Sequence, residues 1–457
     1  MKDINLYKIN AGLNPMVKIA IYLLVTLIIN PAFAENFQEI YQLAVANDPV
    51  YKQAVAANLA TQENKPQAWS QLLPNVSLSA GTSYTETTTS GGFVFGGVPG
   101  TSVQEFESDA NNYTFSLNQP LFRWDSFLQL KQAAATIEQS NAQLMTAEQD
   151  LIIRTADTYF RVLGSMDALT FAQAEKLSLG RQLDQVNQRF EVGLTAITDV
   201  QEAKAGYDSA VAAELVAENL VNDTRENLRE IIGDYVMELA LLKEEFPLVH
   251  PDPDSIDEWT NTALEQNLNI LAGMYAVESA RQTVKIQRAG HLPTLDLQGS
   301  KGYSKSTGGR FGANKSKSDS IGLQLSVPIY QGGFVNSRTR QAVHQLDQEL
   351  ERLEQTRRAT QRSTRQSFLG VISGISQVEA LKQVVLSSET ALQAVQAGFE
   401  VGTRTAVDVV ASERNLTQAK RDYAKARYEY VINTMRLKQA AGILKPEDVA
   451  NINNLLN

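Results

Sequence analysis

The chain has 457 residues, a formal net charge of −10 and no cysteine. It is too long for one ordinary domain, and its acidic balance argues against a nucleic-acid surface. Without cysteine it has no disulfide, no thiol nucleophile, no cysteine metal site and no acylated N-terminal cysteine.

The first 34 residues have the pattern of a secretory signal peptide. A basic residue precedes the apolar run IAIYLLVTLII, and the small residues Ala32 and Ala34 suit cleavage after Ala34. Met16 is a second candidate start, because residues 1–15 look like an upstream extension. A membrane anchor is the alternative, but the run is short for a helix that spans a bilayer. We therefore predict an exported protein.

Two hairpins of β-strands are predicted, over residues 75–120 and 293–329. In both, apolar side chains alternate with small or polar ones, the period-two pattern of a strand with lipid on one face and water on the other. Segments of about ten residues match the thickness of an outer membrane. Soluble hairpins alternate in the same way, so the pattern alone does not decide. We expect residues 85–110 and 301–318 to be loops between the paired strands.

The second of these expected loops is basic. It contains no acid, and its basic residues are Lys301, Lys305, Arg310, Lys315 and Lys317. Such a loop can contact lipopolysaccharide phosphates or can simply be solvated, and the sequence leaves both interpretations open.

Long helices follow each predicted β-hairpin. No proline lies between Pro120 and Pro247 or between Pro328 and Pro446, and both runs are rich in helix-forming residues. Apolar residues recur every seven positions, which is typical of coiled coils; one such series is Leu416, Tyr423, Tyr430 and Leu437. We predict antiparallel helical hairpins, each about 100 Å tall at ~1.5 Å per residue.

One motif occurs near the middle of each helical run. The segments RFEVGLTAITDVQ (189–201) and GFEVGTRTAVDVV (398–410) share Phe-Glu-Val-Gly at an offset of 209 residues. Because glycine suits a turn after a helix, we predict hairpin tips near residues 190–199 and 399–408. Asp199, with Glu202 three residues on, can cap the returning helix or can have a functional role.

The two halves match in order beyond this motif, which predicts a tandem duplication. The first structural repeat covers residues 35–235 and the second covers residues 256–442. Residues 236–255 form a proline-rich linker and residues 443–457 a C-terminal segment, both expected at the equator of the molecule.

Four strands in one chain cannot close a barrel, and an open sheet edge in lipid would leave backbone groups unsatisfied. Two chains would supply eight strands, whose barrel is filled by its own side chains. Three chains would supply twelve, the smallest multiple of four with room for a pore. We predict a homotrimer, because a ring of identical subunits also fits a closing heterologous interface.

The motifs GHLPTLDL, PIYQGGFVNS, RFEVGLTAITDVQ and FEVGTRTAVDVV resemble those of the outer membrane factor family, the trimeric exit ducts of Gram-negative bacteria. The resemblance spans residues 35–456. It implies an α+β membrane protein with a shared 12-stranded β-barrel, four strands from each protomer. This barrel would stand on a long α-helical barrel of coiled-coil hairpins with a mixed α/β equatorial domain.

The resemblance also implies partners and cargo. The homotrimer would dock to a periplasmic adaptor and an inner-membrane transporter of the RND, ABC or MFS class. It would export drugs, bile salts or unfolded secreted proteins, with no catalysis and no cofactor. The adaptor is expected to contact the hairpin tips, namely Val192, Gly193, Leu194, Val401, Gly402 and Thr403.

In the family, the second helical hairpin is the inner pair that narrows the entrance, and the first is the outer pair. Arg404 matches an arginine of the closing latch, and Thr198 and Asp199 match the Thr-Asp that it bonds. Phe399 occupies the position of a latch tyrosine, so the resemblance implies that one latching bond is missing and that the gate is looser.

Asp408 matches one of two aspartate rings that line the family's constriction, whereas the second ring position is Ala411. Three facing carboxylates repel one another, so we expect a raised pKa and a preference for cations. The alternative is that Asp408 merely caps the returning helix.

Two other classes of function compete with an exit duct. A non-conducting coiled-coil tether across the periplasm would use the same helices, but polar inner strand faces and an acidic tip favour the duct. An enzyme is disfavoured because His250, His291 and His344 lie far apart, without a carboxylate pair, metal-ligand spacing or a glycine-rich phosphate loop.

Overall fold

The structure is a computed structural model that describes residues 35–236, 238–309 and 312–457. The predicted signal peptide (1–34) and Arg310 of the basic segment lie outside the described residues. The first half contains helices α1 (Phe37–Asn47), α2 (Pro49–Gln62) and α3 (Asn64–Ser70), strands β1 (Asn75–Phe95) and β2 (Val98–Phe122), and helices α4 (Trp124–Glu191) and α5 (Ile197–Ile232).

The second half has the same order of elements. It contains helices α6 (Ile256–Gln266) and α7 (Leu268–Ala289), strands β3 (Thr294–Gly308) and β4 (Asn314–Ser326), helices α8 (Phe334–Glu400) and α9 (Ala406–Ala440), and a final short helix α10 (Glu447–Asn453). Each half thus has short helices, a β-hairpin and a long helical hairpin, in that order.

The four strands form one antiparallel sheet in the order β1-β2-β3-β4. Both ends of this order are open, so within the described chain β1 and β4 each have one edge without a strand partner. Apolar side chains on one face of the sheet are exposed in a single chain, among them Val76, Leu78, Phe115, Ile321, Leu323 and Leu325. An exposed apolar face between two unpaired edges is the pattern of a barrel segment in lipid.

The segment predicted as the first loop is instead part of the strands. Residues 85–95 of β1 pair with residues 98–108 of β2, up to a tight turn at Gly96 and Gly97, whose φ angles are 60° and 86°. Two consecutive positive φ values are typical of the turn that matches strand twist. The prediction was wrong because Thr and Ser in TETTTS favour extended backbone without marking which face is apolar.

The basic segment is also mostly strand. Lys301 and Lys305 lie in β3, whereas Lys315 and Lys317 lie in β4. The described residues at the end of β3 and between the two strands include Gly308, Gly309 and Gly312, which have positive φ. A loop over the whole of residues 301–318 was therefore predicted wrongly, because side-chain charge does not prevent strand pairing at an exposed surface.

The two long helical hairpins are the tall part of the molecule. Helices α4 and α8 have 68 and 67 residues, which at ~1.5 Å per residue makes each about 100 Å long. They turn back into α5 and α9, with 36 and 35 residues. Helix α9 also packs along α4, so the two hairpins of one chain lie side by side.

The main apolar core lies at the level where the returning helices end. Tyr159 and Phe160 of α4 are fully buried there and contact Phe37 of α1 edge to face and by stacking. The Tyr159 hydroxyl donates to the Ala240 carbonyl at 2.7 Å. Bridges Glu35↔Leu239 and Leu242↔Leu456 add short β pairings to this helical core, giving a mixed α/β belt.

Asp48 joins the belt to the long helix α4. Its carboxylate caps α2 by accepting from the Tyr51 amide at 2.6 Å, and it pairs with the Arg154 guanidinium at 2.9 and 3.1 Å. Burial raises the pKa of this carboxyl, but the bonds from Arg154 and Tyr51 outweigh burial and hold the pKa below its usual range. The pair fixes the angle at which the N-terminal helices meet α4.

A second ion pair lies where the sheet meets the helices. Arg123, between β2 and α4, donates to both carboxylate oxygens of Asp296 at 3.0 Å each. The fork geometry makes this pair stronger than a single contact. It holds the start of β3 against the start of α4, so the sheet and the first long helix share one rigid junction.

By length and composition alone, one described helix, Phe334–Glu400, is apolar enough over 18 residues to cross a membrane, with a mean hydropathy of 1.2. Val371, Ile375 and Val378 of this helix belong to the main core. Only 22% of the apolar stretch is buried within the chain, so packing in this core does not account for all of its apolar character.

Candidate functional site

The two hairpin tips have nearly the same backbone. Gly193 and Gly402 have φ angles of 75° and 80°, and after each glycine an amide closes the turn by donating 2.8 Å to a carbonyl five residues back. A side chain at either glycine would meet nothing within 4 Å in the chain. The repeated Phe-Glu-Val-Gly motif therefore makes the same turn twice, as predicted.

The tips present apolar side chains to solvent. Val192, Leu194 and Val401 are 69%, 75% and 76% exposed. Thr403 is also exposed, and its hydroxyl donates to the Gly398 carbonyl at 3.0 Å. Side chains of this kind at the end of two rigid hairpins form a small surface suited to a protein partner.

Directly behind the turns, a small apolar cluster joins the two hairpins. This tip cluster consists of Val186, Ala203, Leu392, Phe399, Ala406, Val409 and Leu416. It contains side chains from all four long helices, so the two tips of one chain share a core. Phe399 is a member, with 6% exposure, and its ring contributes apolar packing where the resemblance implies a tyrosine hydroxyl.

Glycine permits a close helix contact just behind this cluster. A Cβ at Gly206 of α5 would lie 3.1 and 3.2 Å from the two methyl carbons of Val410 on α9. Such distances are too short for comfortable packing, so Gly206 lets the outer and inner hairpins approach more closely than alanine would allow.

The predicted latch residues do not come together within one chain. Among the described residues, the Arg404 guanidinium forms no hydrogen bond or ion pair, and it is exposed. Asp199 accepts from the Thr195 hydroxyl and from the Ala196 amide at 3.4 Å, while Thr198 is exposed. A latch between these residues would have to form between two copies of the chain.

Asp199 does serve as a helix cap, but not in the predicted arrangement. Helix α5 begins after Ala196, so Asp199 is the third residue of its first turn. Its carboxylate reaches back to the amide that precedes the helix, as the acidic member of a capping box does. The expected pairing with Glu202 is wrong, because the helix starts three residues earlier than that pattern requires.

Asp408 occupies the matching position at the start of α9. It accepts from the Thr405 amide at 2.9 Å and from the Thr405 hydroxyl at 3.0 Å, while its own amide donates to that hydroxyl at 3.3 Å. These bonds from Thr405, assisted by the charge of Arg404, lower the pKa of Asp408. The rise that we expected for a ring is therefore opposed by contacts within the chain, and the capping role is real.

Arg189 contacts the end of the other hairpin, a link that was not predicted. It lies in the last turn of α4, and its guanidinium donates to the Phe399 and Glu400 carbonyls at 3.0 and 2.7 Å. It also lies over the Phe399 ring, 4.9 Å from the centroid. The sequence offers one signal for this contact, a basic residue in the last turn of a helix. The signal does not identify the partner, because the residues that Arg189 contacts lie some 210 residues farther along the chain.

A buried carboxylate lies farther from the tips, between α4, α8 and α9. Glu413 is 7% exposed, accepts from the Ser178 hydroxyl, and contacts the Gln396 amide at 3.5 Å. Burial is the main cause that raises the pKa of Glu413; repulsion by Glu175 adds to it, while the Ser178 bond and Lys420 act in the opposite direction. The contact between the two hairpins therefore contains a carboxyl group whose charged form is disfavoured by burial.

The three histidines contact different residues in the described chain. His250 and His344 are exposed beside Asp254 and Asp347, at 3.9 and 3.7 Å, and His291 bonds to Asn336. Among the described residues, no three metal-ligating side chains cluster.

Comparisons with known proteins agree with this architecture. The family model for "Outer membrane efflux protein" matches residues 40–234 and 259–443. The chain is 37% identical to the outer membrane protein TolC of Escherichia coli (strain K12), over 93% of this chain and 85% of that protein. It is 35% identical to TolC of Vibrio cholerae, over 92% and 94% of the two chains.

A secretion protein and two solved channels are also similar. The chain is 30% identical to the alkaline protease secretion protein AprF of Pseudomonas aeruginosa, over 92% of this chain and 86% of that protein. The CmeC outer membrane channel of Campylobacter jejuni has a TM-score of 0.74 at 16% identity, covering 93% and 90% of the chains. The outer membrane protein VceC of Vibrio cholerae has a TM-score of 0.71 at 18% identity, covering 89% and 96%.

The buried Glu413 gives a prediction on pH. Because its pKa in the folded protein lies above the ordinary glutamate value, the folded state holds the proton more tightly than the unfolded state. Its charge therefore destabilises the folded state as the pH rises from the ordinary value through the raised one. Glu413→Gln should raise the melting temperature by a few degrees at neutral pH and remove this part of the pH dependence.

The measurement is thermal unfolding between pH 4 and 8, followed by circular dichroism. Glu230→Gln on the exposed face of α5 is the matched control and should leave the curve unchanged. A melting temperature of Glu413→Gln that tracks the wild type at every pH would contradict the assignment.

Proposed function

We propose that three copies of this chain, which belongs to the outer membrane efflux protein family, build one conduit gated at its periplasmic tips. The chain is an outer-membrane exit duct for efflux and type I secretion. The observation that supports this proposal is the four-stranded sheet with an exposed apolar face and two unpaired edges, joined to hairpins about 100 Å long. Three such sheets give twelve strands, enough to surround a pore.

The trimer is supported by the requirements of the backbone in lipid. The outer edge of β1 in one copy has free amides and carbonyls, and the outer edge of β4 in the next copy can pair with them. Pairing of β1 with β4 is heterologous, so a ring of copies closes it. We propose no catalytic role, since the relatives are channel proteins and the histidines share no site.

We propose that the helical hairpins extend into the periplasm and that their tips meet an adaptor, which an inner-membrane transporter accompanies. The support is the exposed apolar surface formed by the two turns. It lies at the end of the hairpins opposite the sheet, where a partner can reach it without entering the membrane.

The latch proposal rests on a geometry between copies. Arg404 is exposed and forms no hydrogen bond or ion pair in the described part of one chain, although its charge acts on Asp408, so its guanidinium can reach Thr198 and Asp199 of the neighbouring copy. Bilayer recordings of Arg404→Ser check this arrangement, since a lost latch raises the closed-state conductance.

Strands β3 and β4 carry four lysines, three of which we propose to contact lipid phosphates. The register pairs Lys305 with Lys315 and Tyr303 with Lys317, so these side chains lie on one face, the same face as Leu297 and Leu323. That face is the apolar one, and the lysines lie at the end farthest from the helices. Like charges directly opposite each other repel, so an anion beside them would stabilise the pair.

Lys301 differs from the other three because Asp319 lies 3.8 Å from its ammonium. Within the described chain, Lys305, Lys315 and Lys317 form no such ion pair. The stacked Tyr113 and Tyr303 rings, 6.3 Å apart, mark the interface level just below them. We propose that these three lysines bind the phosphates of lipopolysaccharide in the outer leaflet.

The Asp408 ring has a direct electrical test. Purified trimers in planar bilayers should conduct, and a trivalent cation added on the side of the hairpin tips should block the current, because three carboxylates meet at one narrow level. Asp408→Asn keeps an oxygen for the Thr405 bonds but removes the charge. We expect the blocking concentration to rise at least about tenfold.

Asp184→Asn, on the exposed surface of α4, serves as the control and should block like the wild type. If Asp408→Asn blocks at the wild-type concentration, Asp408 is only a cap. If wild-type trimers carry no current at all, the conduit itself is wrong and the tether is favoured.

Docking at the tips can be separated from folding. Gly402→Leu adds a large side chain where nothing lies within 4 Å, so the cost to the fold is limited to backbone strain of about 1–2 kcal/mol. We expect drug resistance in a host without its own duct to fall to the level without the protein, while trimers remain in the outer membrane.

Gly332→Leu is the matched control, because Gly332 also has positive φ (60°) and open space but lies beside the sheet. It should retain resistance. Normal resistance in both Gly193→Leu and Gly402→Leu would show that the tips do not dock the adaptor.

The lipid contact is tested by replacing Lys305, Lys315 and Lys317 together with glutamine. Lipopolysaccharide that co-purifies with the trimer, measured by its phosphate content, should fall severalfold, because three phosphate-facing charges are lost. A triple glutamine variant of the exposed helix lysines Lys65, Lys131 and Lys204 should retain the wild-type amount. Equal loss or equal retention in the two variants would mean that the strand lysines are simply solvated.

A further inference from the structure

Arg189 joins the two hairpins of one chain at their ends. Among the described residues it is the one side chain that hydrogen-bonds from the turn region of the first hairpin to that of the second. Farther from the tips, Ser178 and Glu413 make the next such bond. We call Arg189 and the end of α8 the clamp. It is the side-chain hydrogen-bonded contact between the two hairpins that lies nearest the tips in the described chain, so separation of the tips must break it.

The chemistry of a helix end explains why an arginine is suited to this position. The last four carbonyls of a helix lack partners within it and carry the negative end of its dipole. In α8, the Phe399 carbonyl accepts from the Gly402 amide, whereas the Glu400 carbonyl has no backbone donor in the described chain. The Arg189 guanidinium supplies two donors and a positive charge to these carbonyls at once.

The aromatic ring of Phe399 adds a third contact to the same group. The guanidinium carbon lies 4.9 Å from the ring centroid, a distance at which a cation is attracted to the ring. The Phe399 side chain is also buried in the tip cluster with Val186 and Val409. Phe399 thus holds the guanidinium through its carbonyl and its ring and anchors the clamp in apolar packing.

We infer that Arg189 is a positioning residue that holds the inner hairpin against the outer hairpin of the same chain and so keeps the tip closed. This inference rests on the proposed gated conduit and names part of its regulation. Outward movement of α8 and α9 would break both hydrogen bonds and the ring contact together, because all three go to residues 399 and 400. A partner that binds the tips can open the conduit by replacing these three contacts with its own.

The clamp is tested with Arg189→Gln, Arg189→Lys, Phe399→Leu and Phe399→Tyr in bilayer recordings. Arg189→Gln should increase the fraction of time in the open level about tenfold, the effect expected when an equilibrium loses contacts worth about 1.4 kcal/mol. Arg189→Lys, with one ammonium for a fork of donors, should fall between wild type and Arg189→Gln. Phe399→Tyr keeps the ring and should not raise the open fraction above that of the wild type.

Phe399→Leu alone should raise the open fraction, and the effect of the double variant should be smaller than the sum of the two single effects, because both variants remove the ring contact. Additive effects would overturn the clamp, and so would an open fraction of Arg189→Gln equal to that of the wild type. Arg229→Gln is the matched control, because Arg229 is an exposed arginine in the last turn of α5 that pairs with Glu226.

A distance measurement separates the clamp from the conduit. Since the chain has no cysteine, spin labels can be placed at Leu194→Cys and Val401→Cys, in trimers diluted with unlabelled chains. Arg189→Gln should lengthen and broaden the distance between the two labels within one chain. An unchanged distance would overturn the clamp, whereas a changed distance without any current in all variants would overturn the conduit and retain the clamp.

Discussion

Hydrogen bonding of the backbone in hydrocarbon is the constraint on which the rest of this molecule depends. A sheet of four strands has two edges, and in lipid neither edge can be left without partners. One chain offers only its own β1 and β4 edges, which lie at opposite ends of the strand order. Once copies are required to complete the sheet, every other feature is repeated by symmetry, and a single aspartate or arginine at a tip becomes a ring.

The two hairpins of a chain are held together by different interactions at different heights. Near the sheet, the Arg123–Asp296 pair fixes β3 to the start of α4, and at the belt a large apolar core surrounds Tyr159. Toward the tips the packing thins to one small cluster and the Arg189 contact. The packing that holds the hairpins together therefore decreases from the belt to the tips, as expected for a part that moves.

The sequence was sufficient for the features that have a local pattern. The long proline-free runs predicted α4 and α8, and the glycine of the repeated motif predicted both turns. Strand residues 76–84 were visible by their alternation, whereas 85–95 were not, because pairing with β2 rather than side-chain period makes them a strand. The Arg189 contact could not be predicted, because it depends on where the end of α8 lies in the folded chain. The cap was predicted three residues too late, because Asp199 was taken as the residue before the helix, whereas α5 begins after Ala196.

The ribbon at the far end of β1 and β2 has a practical consequence. From Thr87↔Phe106 to Phe95↔Val98 these two strands pair only with each other, beyond the end of β3, and nine pairs at ~3.3 Å extend about 30 Å. Nothing else in the described chain is built on this ribbon. A foreign peptide inserted between Gly96 and Gly97 would be displayed on the cell surface, three copies per trimer, without disturbing the strands that line the membrane.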